Sequence, residues 1–176
     1  MDCPNKTPGD ITIRTHRPGD MGYITHLHGT IYCKEFGFSE RFEAYVGNIT
    51  SDFLLNYDPL MERCWLAERD GAFLGCIMLI KDREAPANAR LRCFLVEEAA
   101  RGSGLGTRLI KLCIDMAREI GYERVTLSTD KLMATARRLY TSFGFELKAT
   151  KEHEDWGERQ VGEIWEMRLR WVEMMV

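Results

Sequence analysis

The sequence predicts an α/β chain built on one mixed, largely antiparallel sheet of about seven strands, with helices on both faces. Three observations predict it. The stretch Leu91–Arg118 reads as a short apolar strand (LRCFLV), a glycine-rich turn (RGSGLG) and a helix. That helix carries Leu105, Leu109, Leu112, Cys113, Met116 and Ala117 at three- and four-residue spacings, an apolar stripe along one side. Asp70-Gly71 lies between two apolar runs, the composition of a tight hairpin turn. The periodic segments follow the order strand, two helices, three strands, helix, strand, helix, two strands.

Taken in order, residues 1–10 read as a flexible N-terminal tail and residues 11–176 as a single domain. Ile11–Arg14 alternates apolar and polar residues, a short strand. Pro18-Gly19-Asp20 opens a helix over 20–34, with Asp20 as N-cap. A second helix spans Ser39 to Asn56, with Ser39 as its cap and an acidic first turn, and Tyr57-Asp58-Pro59 ends it. Arg63–Glu68 and Ala72–Lys81 form the hairpin joined by Arg69-Asp70-Gly71. A polar loop, Asp82–Ala89, leads into the Leu91–Val96 strand and its helix, which Gly121 stops. Val125–Ser128 (VTLS) is the next strand, parallel to Leu91–Val96 through a crossover. Lys131–Phe143 is a helix capped by Gly144, and Phe145–Lys151 and Ile164–Leu169 make a final antiparallel pair.

Composition excludes several classes. With 176 residues the chain is large enough for one proper core. A formal net charge of −3, with acids and bases mixed along the length, gives no footprint for nucleic acid or an anionic membrane. No apolar run approaches the ~20 residues a bilayer requires, and MDCPNKTPGD does not read as a signal peptide, so a cytoplasmic protein is expected. The cysteines at 3, 33, 64, 76, 93 and 113 show no CxxC pair and mostly sit in apolar segments, where they read as core residues rather than metal ligands or nucleophiles. Cys33 is the one nearest the expected ligand cleft.

The glycine-rich turn carries the chemistry. A helix N-terminus has unpartnered amides and the positive end of the helix dipole, and Gly102, Gly104 and Gly106 leave no Cβ between those amides and a ligand. A dinucleotide fingerprint would need a third glycine where Thr107 stands, and a P-loop would need Gly-Lys followed by Ser or Thr; neither is present. The spacing is R-x-x-G-x-G, the pyrophosphate-binding pattern of the GNAT N-acetyltransferase superfamily. Farther on, Ala136-Arg137-Arg138-Leu139-Tyr140 and Gly144-Phe145 match that family's A-x-x-L-Y-x-x-x-G-F signature. From about Ile11 to Arg170 the chain resembles this family. It looks closest to the acetyltransferase domain fused behind MarR-type regulators, through His28-Gly29-x-x-Tyr32-x-x-Glu35-Phe36-Gly37-Phe38, Cys64-Trp65-x-Ala67-Glu68-Arg69-Asp70-Gly71 and Val161-Gly162-x-x-Trp165-Glu166. The regulator part itself is missing here.

The resemblance implies an acyl-CoA N-acyltransferase fold and acetyl-CoA lying where the Leu91–Val96 and VTLS strands separate. Phe94, Leu95 and Val96 would bond the pantetheine arm through their backbones. Arg101, Gly102, Ser103, Gly104, Leu105, Gly106, Thr107 and Arg108 would hold the phosphates, with Lys111 as a further cation near the 3′-phosphate. Direct attack of an amine on the thioester needs a proton for the leaving thiolate and a base for the amine. Tyr140, the tyrosine of the signature, is the implied acid. The strand that carries a glutamate in some relatives offers only Arg90 and Arg92, while Glu97 and Glu98 fall in the loop after it. His153, in the loop Glu152–Gln160, is the candidate base because histidine titrates near neutrality. Tyr32, Phe36, Phe38 and Trp156 are the candidate walls of the acceptor pocket. Met133 stands where many relatives have an asparagine. The implied activity is acetylation of a primary amine on a small molecule, amino acid or peptide, without metal, with a homodimer through the terminal strands as a partner state. The alternative is a non-catalytic acyl-CoA-binding module.

Overall fold

The computed structural model describes residues 9–169; residues 1–8, which make up most of the expected tail and include Cys3, lie outside the described residues. The elements are β1 (Thr12–Thr15), α1 (Asp20–Phe36), α2 (Glu40–Leu55), β2 (Arg63–Arg69), β3 (Ala72–Lys81), β4 (Asn88–Val96), a single 3₁₀ turn (Glu98–Ala100), α3 (Leu105–Ile120), β5 (Arg124–Asp130), α4 (Ala134–Phe143), β6 (Glu146–His153) and β7 (Gln160–Arg168). All seven strands join one sheet in the order β1-β2-β3-β4-β5-β7-β6. Only β4 and β5 run parallel.

Local chemistry sets the element ends. In the β2–β3 hairpin Asp70 (φ 50°) and Gly71 (φ 81°) both take the left-handed conformation that a two-residue turn requires. Gly19, not Asp20, is the cap residue of α1. Asp20 sits inside the first turn, where its carboxylate accepts the Arg17 N–H at 2.7 Å and an Arg14 guanidinium contact at 2.6 Å. Ser39 caps α2 by position without a side-chain bond. Its N–H donates instead to the Trp156 carbonyl at 2.7 Å, fastening the α1–α2 corner to the β6–β7 turn. Helix α4 begins three residues later than the sequence suggests, because the Asp130 carboxylate accepts the Leu132 N–H at 2.8 Å and holds that stretch in a turn.

Each face of the sheet packs against helices. Leu105, Leu109, Ile110, Cys113 and Ile114 of α3 pack with Ile77, Leu79, Leu91 and Leu127 on one face. Met21, Ile24 and Phe53 of α1 and α2 pack with Cys64, Leu66, Cys76 and Met78 on the other. Between the two layers the centre of the sheet is broken. Strand β4 pairs with β5 only from Asn88↔Arg124 to Leu91↔Leu127. Beyond that point β4 bulges: Ile77 of β3 stands opposite both Cys93 and Phe94, and Cys93 has φ 46°. The bulge turns the end of β4 away from β5 and leaves a gap in the sheet. No helix among the described residues is long and apolar enough to cross a membrane.

Candidate active site

Two cavities meet at this gap. The first, about 470 Å³, runs from the end of β4 across the glycine turn to the start of α4, and includes Leu95, Val96, Arg101, Leu105, Thr107 and Leu139 in its walls. Gly102 and Gly104 have φ of 77° and 80°, and Gly104 is the cap residue of α3, so the turn opens straight into the helix amides. Gly106 is needed for space: a Cβ there would lie 3.2 Å from Leu139 Cδ2 and 3.3 Å from Phe94 Cζ. Arg101 donates from Nε to the Val96 carbonyl at 3.2 Å and from Nη2 to Glu35 Oε1 at 2.7 Å, tying the turn to both β4 and the end of α1.

Some expected positions behave differently. The Ser103 hydroxyl donates to the Ala100 carbonyl at 2.6 Å and closes the turn. Arg108 is exposed on α3 and is not part of the cleft wall, and Lys111 is paired with Asp115. Phe36, expected at the acceptor side, lines the glycine cleft instead. Helix α1 runs two residues past the expected end, which carries Phe36 to this side, and Gly37 (φ 70°) then turns Phe38 the other way. Cys33 is exposed on α1 and lines neither cavity, while burial pushes the Cys93 thiol up to about 12.

The second cavity, about 290 Å³, lies on the far side of the gap and holds Tyr140, His153, Phe38 and Trp156 in its wall. Tyr32, Phe94, Met133 and Ala136 line both cavities, so the two adjoin along a shared wall. Tyr140 is 4% exposed, between the rings of Phe94 and Phe145 at 6.1 and 5.8 Å. Burial raises its phenol, and that of Tyr32, well above the ordinary tyrosine range, so both stay protonated at neutral pH. His153 presents Nδ1 to Asp155, whose N–H and carboxylate lie 3.3 Å away. Its Nε2 sits over Gly162, where a Cβ would approach to 3.1 Å. Trp156 meets His153 edge-on at 5.8 Å and Tyr45 at 4.8 Å.

Four further polar residues in this cavity escaped the sequence reading. Glu163 Oε2 accepts Trp165 Nε1 at 2.9 Å and Arg137 Nε at 2.8 Å. His28 donates from Nδ1 to the Ile24 carbonyl and leaves Nε2 buried without a partner. Arg92 donates to the Tyr45 hydroxyl at 2.9 Å and keeps Nε buried without a partner. Asp130, 4% exposed, keeps Oδ2 buried and unpartnered. The strand period offered one signal: Asp130 falls two residues beyond the expected end of VTLS, on the same side as Ser128. Among the described residues no group of His, Cys, Asp or Glu is arranged to hold a metal ion.

Comparison with known proteins agrees with this geometry. Residues 26–145 match the model of the acetyltransferase (GNAT) family. An uncharacterized N-acetyltransferase of Schizosaccharomyces pombe is 31% identical over 116 residues, covering 65% of this chain and 69% of the relative. N-acetyltransferase family 8 member 2 of Rattus norvegicus is 25% identical over 119 residues, 66% of this chain; the match spans only 50% of that relative's length. Among solved structures, a Salmonella typhimurium acetyltransferase with its cofactor acetyl-CoA superimposes with a TM-score of 0.72 at 19% identity, covering 94% of this chain and 96% of the other. A ribosomal-protein-alanine N-acetyltransferase from Brucella melitensis gives 0.72 at 20% identity, with 90% and 99% covered.

Proposed function

Since this chain belongs to the GNAT acetyltransferase family, we propose that it transfers the acetyl group of acetyl-CoA to a primary amine of a small molecule, amino acid or peptide. The observation that carries this reading is that the glycine cleft and the polar cavity adjoin where the β4–β5 ladder ends. The residues present suit acetyl-CoA: a glycine-rich cradle, a strand edge without a β5 partner, and no carboxylate in the cleft wall other than Glu35 of α1, which is paired with Arg101. When bound, acetyl-CoA supplies an acetyl group activated as a thioester.

The chain's own residues do the rest. Strand β4 lacks a β5 partner at Phe94, Leu95 and Val96, so backbone groups there not already bonded would hold the pantetheine arm. The amides of the Arg101–Thr107 turn and the N-terminus of α3 hold the diphosphate. Tyr140 keeps its proton because burial disfavours the phenolate, and it would be the group that supplies a proton to the thiolate leaving group. His153 stands on the acceptor side, and in the tautomer that turns Nδ1–H to the Asp155 carboxylate its Nε2 can receive a proton from the amine. Tyr32, Phe38 and Trp156 wall the acceptor pocket.

We further read the chain as a single cytoplasmic domain over 11–176, akin to the acetyltransferase domains fused to MarR-type regulators through the three stretches named above. Strand β6 is an edge strand exposed along nearly its whole length, and Leu147 and Ile164 are 44% and 50% exposed, which suits a homodimer through the terminal strands. The test of function is isothermal titration with acetyl-CoA, with NADH and ATP as controls, followed by acetylation of an amine panel. Saturable acetyl-CoA binding that is lost in Gly104→Glu, which forces a side chain onto a φ of 80°, supports the reading. No binding by folded protein overturns it, and binding without transfer to any amine favours the acyl-CoA-binding module.

A further inference from the structure

Among its buried and half-buried residues the acceptor cavity holds one cation and one anion without a charge partner. Arg92 points from β4, and among the described residues it makes no ion pair; its one side-chain bond is to the neutral Tyr45 hydroxyl. Asp130 closes β5, and its carboxylate is likewise unpaired, with Oδ1 spent on the Leu132 N–H and Oδ2 free. By contrast, Glu163 in the same cavity is matched to Arg137. Removing a charge from water without a counter-charge is costly, so an unmatched pair of opposite sign in one cavity marks where a ligand supplies the complement.

The ladder sets which way these residues face. Leu91 and Leu127 are its last pair, so Arg92 and Asp130 share the sheet face turned toward α2, on opposite sides of the gap, with Asp130 about 7 Å farther along the strand direction. Across β5, Asp130 pairs with Gly162, whose missing Cβ makes room for the His153 ring in the cavity wall. Lys151 adds a second cation to the wall, and Phe38, Val46, Ile49 and Trp156 supply apolar surface.

Resting on the acetyl-transfer reading, we infer that the acceptor is an amine that also carries a carboxylate on an apolar body. Arg92 binds the carboxylate, held in place by Tyr45. Asp130 Oδ2 receives the ammonium group and faces it toward the gap where the thioester lies. An arginine fork matches a carboxylate and a buried aspartate matches an ammonium, so each unpartnered group finds its complement in one zwitterion.

The test uses the full chain saturated with coenzyme A or acetyl-CoA. Binding and acetylation of L-leucine and L-phenylalanine are compared with their amides and with the decarboxylated amines. Wild type is expected to bind the acids at least about tenfold more tightly than the amides. Arg92→Gln should remove most of that preference by weakening the acids far more than the amides. Asp130→Asn, which keeps an oxygen for the Leu132 N–H, should weaken acids and amides alike. Equal binding of acid and amide by wild type, or no binding of any acid, overturns the inference. Preference for the acids without transfer counts against the enzymatic reading alone.

Discussion

At the scale of single residues, burial of ionisable groups makes the protein sensitive to pH. His28 is 2% exposed and stacks on Tyr32 at 5.4 Å, and burial lowers its imidazole to about 4. In the unfolded chain the same group titrates near 6.5, so below that pH the unfolded state binds a proton that the folded state refuses. The stabilisation is therefore complete above pH 6.5 and is lost as pH falls toward 4, on the order of 3 kcal/mol in all. Urea unfolding between pH 7 and 4.5 should show a steeper loss for wild type than for His28→Gln. Tyr140 is the second such residue. Tyr140→Phe keeps the ring and its contacts but removes the proton, so turnover should fall roughly a hundredfold while acetyl-CoA binding persists. Unchanged turnover at saturating substrates would remove Tyr140 from the reaction.

At the scale of elements, the start of α3 is where helix, strand and ligand cleft converge. Gly106→Ala would gain up to ~1 kcal/mol of helix propensity and lose a similar amount to crowding against Leu139 and Phe94. Net stability should stay within about 1 kcal/mol of wild type. Acetyl-CoA affinity should nonetheless fall, by about tenfold, because Phe94 is pushed into the cleft; calorimetry on the two proteins checks both numbers. This region was legible in the sequence because its signals are local: glycines at fixed offsets, a 3.6-residue stripe and a hairpin Asp-Gly. The acceptor side was legible only in part: Tyr32, Phe38, His153 and Trp156 reach its wall as expected, whereas the groups that depend on strand geometry were missed. The bulge at Cys93 places a non-glycine residue at positive φ, which nothing in LRCFLV announces. Arg92 and Asp130 lie far apart in the chain and become neighbours only through the β4–β5 register. Phe36 went to the other cavity because α1 runs two residues farther than its pattern of apolar residues suggests.

At the scale of the whole molecule, charge and topology each leave a signature. Arg14 bridges Asp20 and Glu68 at 2.6 Å, linking β1, α1 and β2, and its hydrogen bond holds the Glu68 carboxyl below its usual range. That contribution is present above about pH 4.5 and disappears as Glu68 is protonated below it. Arg14→Ala should cost about 2 kcal/mol at pH 7, read from urea unfolding, and less at pH 3. The break in the sheet has a different kind of consequence. Four strands lie on one side of it and three on the other, fastened by residues 88–91 and 124–127. The protein is thus two leaves joined by this short ladder and by the one core that packs behind both of them. Ligands seated in the opening as proposed would touch both leaves, and filling it should slow amide exchange on both at once, in places that neither ligand reaches.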